Sequence, residues 1–218
     1  MSGTAPKFAS VVLDVDSTLA GVEGIDWLAA QRGPDTAKRI ADLTDQAMRG
    51  EITLDEIYGQ RLSMIRPTRR EVQALSRRYV EAMAPGARET VARLRDAGVG
   101  IVVVSGGIRE AIVPLALTLG VQGNTLRAVS VYFEEHGEYM GFERDSPLAT
   151  QRGKADVVRS LALPGPVLAV GDGATDLAMR PVVDAFGAYT GFVRRDAVVR
   201  EADFTIDSFA RLEAIVLG

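Results

Sequence analysis

The sequence predicts an α/β protein: a core with a parallel sheet flanked by helices, a small helical insertion after the first strand, and a β-hairpin. Three observations carry this expectation. Short apolar runs alternate with helix-periodic segments along much of the chain. One long stretch, 24–79, is helical in pattern throughout and interrupts that alternation just after the first strand. Loops led by Asp14, Ser105 and Asp172 follow predicted strands, and open α/β sheets form their sites beyond the carboxyl ends of strands.

Residues 8–15 read as the first strand, an apolar run ending in Asp14-Val15-Asp16-Ser17-Thr18. The stretch 24–79 then places apolar residues at helical spacing: Ile25, Leu28 and Ala29; Ile40, Leu43 and Ala47; Leu54, Ile57, Tyr58 and Leu62; Val72, Leu75 and Tyr79. Pro34, Gly50, Thr53 and Pro67 divide it into separate helices. Pro85 opens a core helix to about Ala97, with Gly98 as its stop. Residues 99–104 form the next strand, and a helix irregular at Pro114 follows Ser105-Gly106-Gly107. Residues 126–133 and 139–142 flank Gly137 as an antiparallel hairpin. Lys154 opens a helix through Leu161, and 166–170 is a buried strand that delivers Asp172. Short strands at 184–189 and 203–206 precede a last helix with Phe209, Leu212 and Ile215. The expected division is a core of residues 1–18 and 80–218 and a helical cap of residues 19–79.

A chain of 218 residues can bury a substantial core. Its formal charge of -4 argues against a broad nucleic-acid surface. No apolar run approaches the roughly 20 residues that span a bilayer, and residues 1–10 lack the layout of a signal peptide. The expectation is a cytoplasmic protein with no nucleic-acid and no membrane partner; the residues leave its oligomeric state open. Cysteine is absent, which removes thiolate catalysis. His136 is the only histidine, so a two-histidine phosphatase or a His-rich zinc site is hard to build. It lies in Glu134-Glu135-His136-Gly137-Glu138, which reads as a solvated hairpin tip. Carboxylates with an oxygen-loving magnesium ion remain.

Four segments then supply the chemistry of phosphate-ester hydrolysis, which needs charge neutralisation, an aligned attacker and protonation of the leaving alkoxide. Asp14 is the expected nucleophile, forming an acyl-phosphate. Asp16, two residues on, would protonate the leaving oxygen and later take a proton from water. The plainer reading of such a pair is a turn or helix cap. Ser105 would bind phosphate with the N–H groups of Gly106 and Gly107 at a helix start; a Ser-Gly-Gly cap has the same geometry without a ligand. Lys154 would neutralise phosphate and nucleophile, and it stands out because Lys7 and Lys38 are the only other lysines. Asp172, between Gly171 and Gly173, would join Asp14 and the Asp16 main-chain carbonyl around Mg²⁺. Asp176 would be a further metal ligand through water or an anchor behind the ligands. Thr175 offers a hydroxyl to the phosphate or, equally, an ordinary cap.

On these motifs the chain resembles the haloacid dehalogenase-like (HAD) phosphatases, and within them the phosphoserine phosphatase branch. Asp14-Val15-Asp16-Ser17-Thr18, Ser105, Lys154, and Asp172 with Asp176 match the four motifs of the wider family. Glu23-Gly24-Ile25-Asp26, the segment from Met48-Arg49-Gly50 to Arg61-Leu62, Gly137-Glu138-Tyr139 and Asp184-Ala185-Phe186 resemble the closer branch. The resemblance implies a Rossmann-like HAD core with a helical cap inserted after the first strand, and Mg²⁺-dependent release of L-serine from O-phospho-L-serine, the last step of phosphorylated serine biosynthesis. It implies that Glu23 meets the substrate ammonium, that Arg61 forks onto its carboxylate, and that Met48 and Gly106 line the pocket. A solvated helix pair is the plainer reading of Glu23 and Arg61. The chain departs from the family at Leu54, where Phe is frequent, and at Thr190-Gly191-Phe192, where a Gly-Gly-Asn-like stretch is usual. Fine specificity is therefore open, and the alternative is a sister phosphatase acting on another small phosphate ester.

Other classes fit less well. A receiver domain shares aspartates, Ser/Thr, Lys and Mg²⁺, but lacks the inserted helices and has no use for a proton shuttle at Asp16. A phospho-aspartate ion pump needs membrane helices. A dinucleotide-binding dehydrogenase needs Gly-x-Gly-x-x-Gly after the first strand, which is absent.

Overall fold

The computed structural model describes residues 5–49 and 51–218, apart from the side chains of residues 48, 54 and 56. The strands are β1 (Ser10–Leu13), β2 (Gly100–Ile108), β3 (Leu126–Val129), β4 (Val131–Phe133), β5 (Tyr139–Phe142), β6 (Val167–Gly171), β7 (Ala185–Tyr189) and β8 (Phe204–Ile206). Six of them form one parallel sheet in the order β3-β2-β1-β6-β7-β8, and β4 pairs with β5 antiparallel. The helices are α1 (Gly24–Ala30), α2 (Pro34–Met48), α3 (Leu54–Ile65), α4 (Arg69–Glu81), α5 (Ala87–Asp96), α6 (Arg109–Thr118), α7 (Gly153–Leu161), α8 (Ala174–Leu177), α9 (Asp196–Glu201) and α10 (Phe209–Leu217). Among the described residues, no helix is long and apolar enough to cross a membrane.

The first strand is central, which explains its continuous burial. Val11, Val12 and Leu13 are fully enclosed, as expected for a parallel strand covered on both faces. Leu13 stands opposite Val103 of β2 on one side and Val170 of β6 on the other. The chain winds outward from β1 in both directions, so β1 marks the point where strand order reverses. At such a point the loops diverge and leave a crevice. The Asp14 amide still donates to the Val170 carbonyl at 3.1 Å, so the loop leaves the sheet directly after Asp14.

Three expectations need correction. Helix α5 starts at Ala87 rather than Pro85, because Gly86 precedes it with a left-handed φ of 76°. Strand β2 runs through Ser105-Gly106-Gly107 to Ile108, with a register shift against β3 between Val104 and Ile108. Those residues therefore lie on an irregular strand end, and α6 begins only at Arg109. Residues 126–133 are two strands, not one. Leu126, Ala128 and Val129 are buried in β3 beside β2, while β4 turns away to meet β5. The break falls at Ser130: its carbonyl accepts from Glu143 N–H, and Val131 N–H donates to Glu110 Oε2. Alternation of apolar residues reports a half-buried strand but not its neighbour. Helices α8 and α9, of four and six residues, carry too few turns for a periodic signal. Gly50, expected as a helix breaker, lies outside the described residues.

Helices α1 to α4 form the insertion after β1, and the β4–β5 hairpin braces them. The Arg69 guanidinium lies 5.5 Å from the Phe133 ring, and the Arg69 main-chain N–H donates to Gly137 O. The Tyr58 and Phe142 rings are 5.4 Å apart. Thr68 and Glu71 form a reciprocal capping box at the start of α4. Glu71 also accepts both Arg32 Nη groups, at 2.6 and 2.7 Å, joining α4 to the end of α1. The Arg32 bonds hold the Glu71 carboxyl down at about 2. Thr68→Ala should lower unfolding free energy by about 1 kcal/mol, read as a shifted urea midpoint with an unchanged slope.

Candidate active site

The crevice beyond β1 gathers most of the residues singled out by sequence. Asp14, Asp16, Glu23, Arg61, Ser105, Gly106, Gly107, Lys154, Asp172 and Thr175 line one pocket. Asp176 lies directly behind it. Met48 lies outside the residues whose side chains are described.

Three acidic groups converge at its floor. Asp14, Asp172 and Asp176 each offer a carboxylate oxygen within 4.8 Å of the others, and all three are buried. Lys154, the second residue of α7, reaches Asp14 Oδ1 and Asp176 Oδ1 at 2.6 Å each. Asp176 is anchored further by Gly173 N–H, which donates to its Oδ2 at 3.0 Å. A Cβ at Gly171 would stand 2.1 Å from Asp176 Cγ. Only glycine allows that approach, which gives the Gly-Asp-Gly spacing its physical meaning.

Charge in this floor is unbalanced. Burial, then the Asp176 charge, lifts the Asp14 carboxyl from 3.8 to about 7, although Lys154 opposes the shift. Burial alone would depress Lys154, but Asp14 and Asp176 outweigh it and hold the ammonium above its ordinary value. Arg195, which precedes α9, donates Nη1 to Asp172 Oδ2 in a very close ion pair and lies 3.9 Å from Glu23 Oε1.

Asp16 is on the side of the pocket nearer the inserted helices. Its Oδ1 accepts from Gly24 N–H at 3.1 Å and from the Tyr79 hydroxyl at 2.5 Å. Burial, then Glu23 and Asp14, raises its carboxyl well above the ordinary value. Two neighbouring carboxyls thus resist ionisation. Ser105 Oγ accepts from Gly107 N–H at 3.0 Å, so the strand end is organised by its own hydroxyl.

Above the floor, α3 lowers Tyr58 and Arg61, three residues apart, onto one face. Tyr58 donates to Gly106 O at 2.8 Å, tying the helix to β2. Arg61 is only 4% exposed, and among the described residues neither its Nε nor its Nη1 has a partner. A buried guanidinium with idle donors is costly. Glu23 accepts from Ser17 Oγ at 2.7 Å, and Ser17 holds a left-handed φ of 51° to present that hydroxyl. Tyr58, Tyr79 and Arg195 escaped sequence reading. The three-residue spacing of Tyr58 and Arg61 was an available signal, but nothing local marks Arg195. His136 is exposed at the hairpin turn, as expected.

The family model of haloacid dehalogenase-like hydrolases matches residues 11–181. The chain belongs to that family. Phosphoserine phosphatases from Bos taurus and Homo sapiens are 36% and 34% identical to this hydrolase over 206 residues, covering 93% of this chain and 91% of each relative. A crystal structure of a phosphoserine phosphohydrolase-like protein from Francisella tularensis superposes with a TM-score of 0.86 at 26% identity, over 94% of this chain and 98% of that one. A substrate-bound phosphoserine phosphatase superposes with a TM-score of 0.82 at 22% identity, over 95% of this chain and 98% of that one, which bears on the fold alone.

HAD hydrolases use a divalent metal, and the residues here fit one. Three buried carboxylates face a single lysine, and their oxygen donors suit a hard cation. The raised Asp14 carboxyl gives a test. Its contribution to folding is complete below 3.8 and is lost as pH rises through about 7. A cation requires the ionised form. Added Mg²⁺ should therefore raise the melting temperature little near about pH 5 and more near about pH 8, measured by differential scanning fluorimetry. An equal gain at both would disconnect the ion from Asp14.

Proposed function

We propose that this HAD hydrolase is a phosphoserine phosphatase, a phosphoric monoester hydrolase that cleaves O-phospho-L-serine to L-serine and phosphate. The observation that carries the substrate is Arg61: a buried guanidinium with idle Nε and Nη1 donors, in the same pocket as Asp14. That fork fits a small carboxylate. Glu23, lining the same pocket, supplies the opposite sign for an ammonium group. The similarity to mammalian phosphoserine phosphatases over 93% of the chain supports the same substrate.

In this reading an Asp14 carboxylate oxygen attacks phosphorus, and the bond from phosphorus to the serine oxygen breaks. Asp16, whose carboxyl burial pushes well above its ordinary value, gives its proton to that leaving oxygen. L-Serine departs, leaving phosphate on Asp14. Asp16, now ionised, takes a proton from water; the resulting hydroxide attacks phosphorus and frees the Asp14 carboxylate and phosphate. Ser105, with Gly106 and Gly107, orients the phosphate oxygens. Lys154 balances their charge while keeping Asp14 in place, and Thr175 adds a hydroxyl contact.

Mg²⁺ is our choice of metal, held by Asp14, Asp172 and the Asp16 main-chain carbonyl, with Asp176 behind them. When bound, it supplies charge neutralisation to the phosphate and the attacking carboxylate. We assign residues 19–79 as a cap over a core of 1–18 and 80–218; α4 continues to Glu81 across that boundary. The cap excludes bulk water and large phosphoproteins. Met48 and Gly106 complete the substrate wall in this reading, and the cytoplasm is its compartment.

Phosphate release from O-phospho-L-serine with and without Mg²⁺ tests the activity directly. Asp14→Asn should abolish turnover while preserving the circular dichroism spectrum and melting temperature to within a few degrees. Arg61→Ala should cut kcat/KM for phosphoserine by about a hundredfold, as loss of a buried charge-assisted pair implies, and cut that for a neutral aryl phosphate far less. Equal losses would remove carboxylate recognition from Arg61.

A further inference from the structure

Tyr79 is a buried tyrosine with no part in the chemistry outlined above, yet its hydroxyl touches the proposed acid. The residue is fully enclosed near the end of α4. Its hydroxyl donates to Asp16 Oδ1 at 2.5 Å, and the Gly24 amide donates to the same oxygen at 3.1 Å. Both donors come from the insertion after β1, while Asp16 follows β1 itself. The backbone leaves space for this contact: a Cβ at Gly24 would collide with the Tyr79 hydroxyl.

The two oxygens of Asp16 are therefore not equivalent. Oδ1 is taken by two donors and has no room for a third hydrogen. Oδ2 points the other way. It lies beside Gly107 and Ser105, since a Cβ placed on Gly107 would stand 3.2 Å from both Asp16 Oδ2 and Ser105 Oγ. That is the strand end where phosphate is oriented in our reading. A neutral carboxylic acid carries its hydrogen on one oxygen only. With Oδ1 occupied, Oδ2 is the oxygen left to carry the hydrogen of an acid, on the side of Gly107 and Ser105.

We propose that Tyr79 is a positioning residue for the general acid: with the Gly24 amide it occupies Asp16 Oδ1 and commits Oδ2 to the leaving oxygen. The inference rests on the phosphatase reading and on Asp16 as its acid, and it deepens that reading. Proton transfer needs the acid within hydrogen-bond reach and correctly turned. Releasing Oδ1 lets the carboxyl rotate and present the wrong oxygen. The contact also links cap and acid, so the acid is oriented by the element that covers the pocket.

Leaving-group dependence separates positioning from mere packing. A serine or other alkyl alkoxide needs a proton as it leaves; a nitrophenolate does not. Tyr79→Phe keeps the ring and removes only the hydroxyl. With intact enzyme and Mg²⁺, kcat/KM should fall about tenfold or more for phosphoserine and simple alkyl phosphates. For 4-nitrophenyl phosphate it should fall only about twofold, giving a steeper dependence on leaving-group acidity. Gly24→Ala, which displaces the hydroxyl, should produce the same pattern, and the double variant should be no worse than the more impaired single one. Equal losses across alkyl and aryl esters, or no loss on alkyl esters, would overturn the proposal. If the wild type cleaves alkyl phosphates but not phosphoserine, the substrate reading fails while the alkyl-to-aryl comparison still decides the role of Tyr79.

Discussion

Negative charge is concentrated where charge is hardest to keep. Asp14, Asp172 and Asp176 are buried within 4.8 Å of one another beyond the ends of β1 and β6. Buried carboxylates repel each other strongly in a medium that screens poorly. Lys154 answers two of them and Arg195 the third. A stability-optimised protein would replace such a cluster with apolar packing. Such a cluster suits a site that, in the proposed reading, takes up a cation and a phosphate dianion in turn. The sheet supplies what the cluster needs: the strand-order reversal at β1 opens the crevice, and the rigid parallel core keeps the acids together.

The insertion completes the site from above. Helix α3 delivers Tyr58 and Arg61, α4 delivers Tyr79, and the start of α1 provides the Gly24 amide. The Tyr58, Tyr79 and Gly24 hydrogen bonds each cross from the insertion to the core, at the end of β2 or the loop after β1. The β4–β5 hairpin stiffens the arrangement through the Arg69–Phe133 and Tyr58–Phe142 contacts. In the proposed reading, substrate selection and acid orientation share one structural unit: the phosphate chemistry would belong to the strand ends, and the discrimination between esters to the helices.

Much of this was legible in the residues. The order Asp14, Ser105, Lys154, Asp172 survives as one pocket because Asp14 and Asp172 follow strands, Ser105 lies on the irregular end of β2 and Lys154 opens a helix, all at the same end of the sheet. Strand–helix alternation and its interruption at 24–79 foretold both layers. Less legible was the partnership of strands. Residues 126–133 have the alternation of a single strand, yet β3 joins the main sheet and β4 leaves it at Ser130. Apolar periodicity records burial, and burial against a sheet looks the same as burial against a hairpin.

What the residues determined alone was chemistry with local grammar: a pair of aspartates two apart, glycines where backbones approach, a lysine opening a helix. These follow from spacing along the chain, because neighbours in sequence must be neighbours in space. Tertiary structure alone decided the long-range contacts. Tyr79 meets Asp16 across 63 positions, and Arg195 meets Asp172 across 23. Neither pairing has a sequence signature, because a tyrosine at helical spacing is equally a core residue and an arginine in a loop is equally a solvated one. Only the docking of α4 and of the loop before α9 against the strand ends gives those side chains their partners.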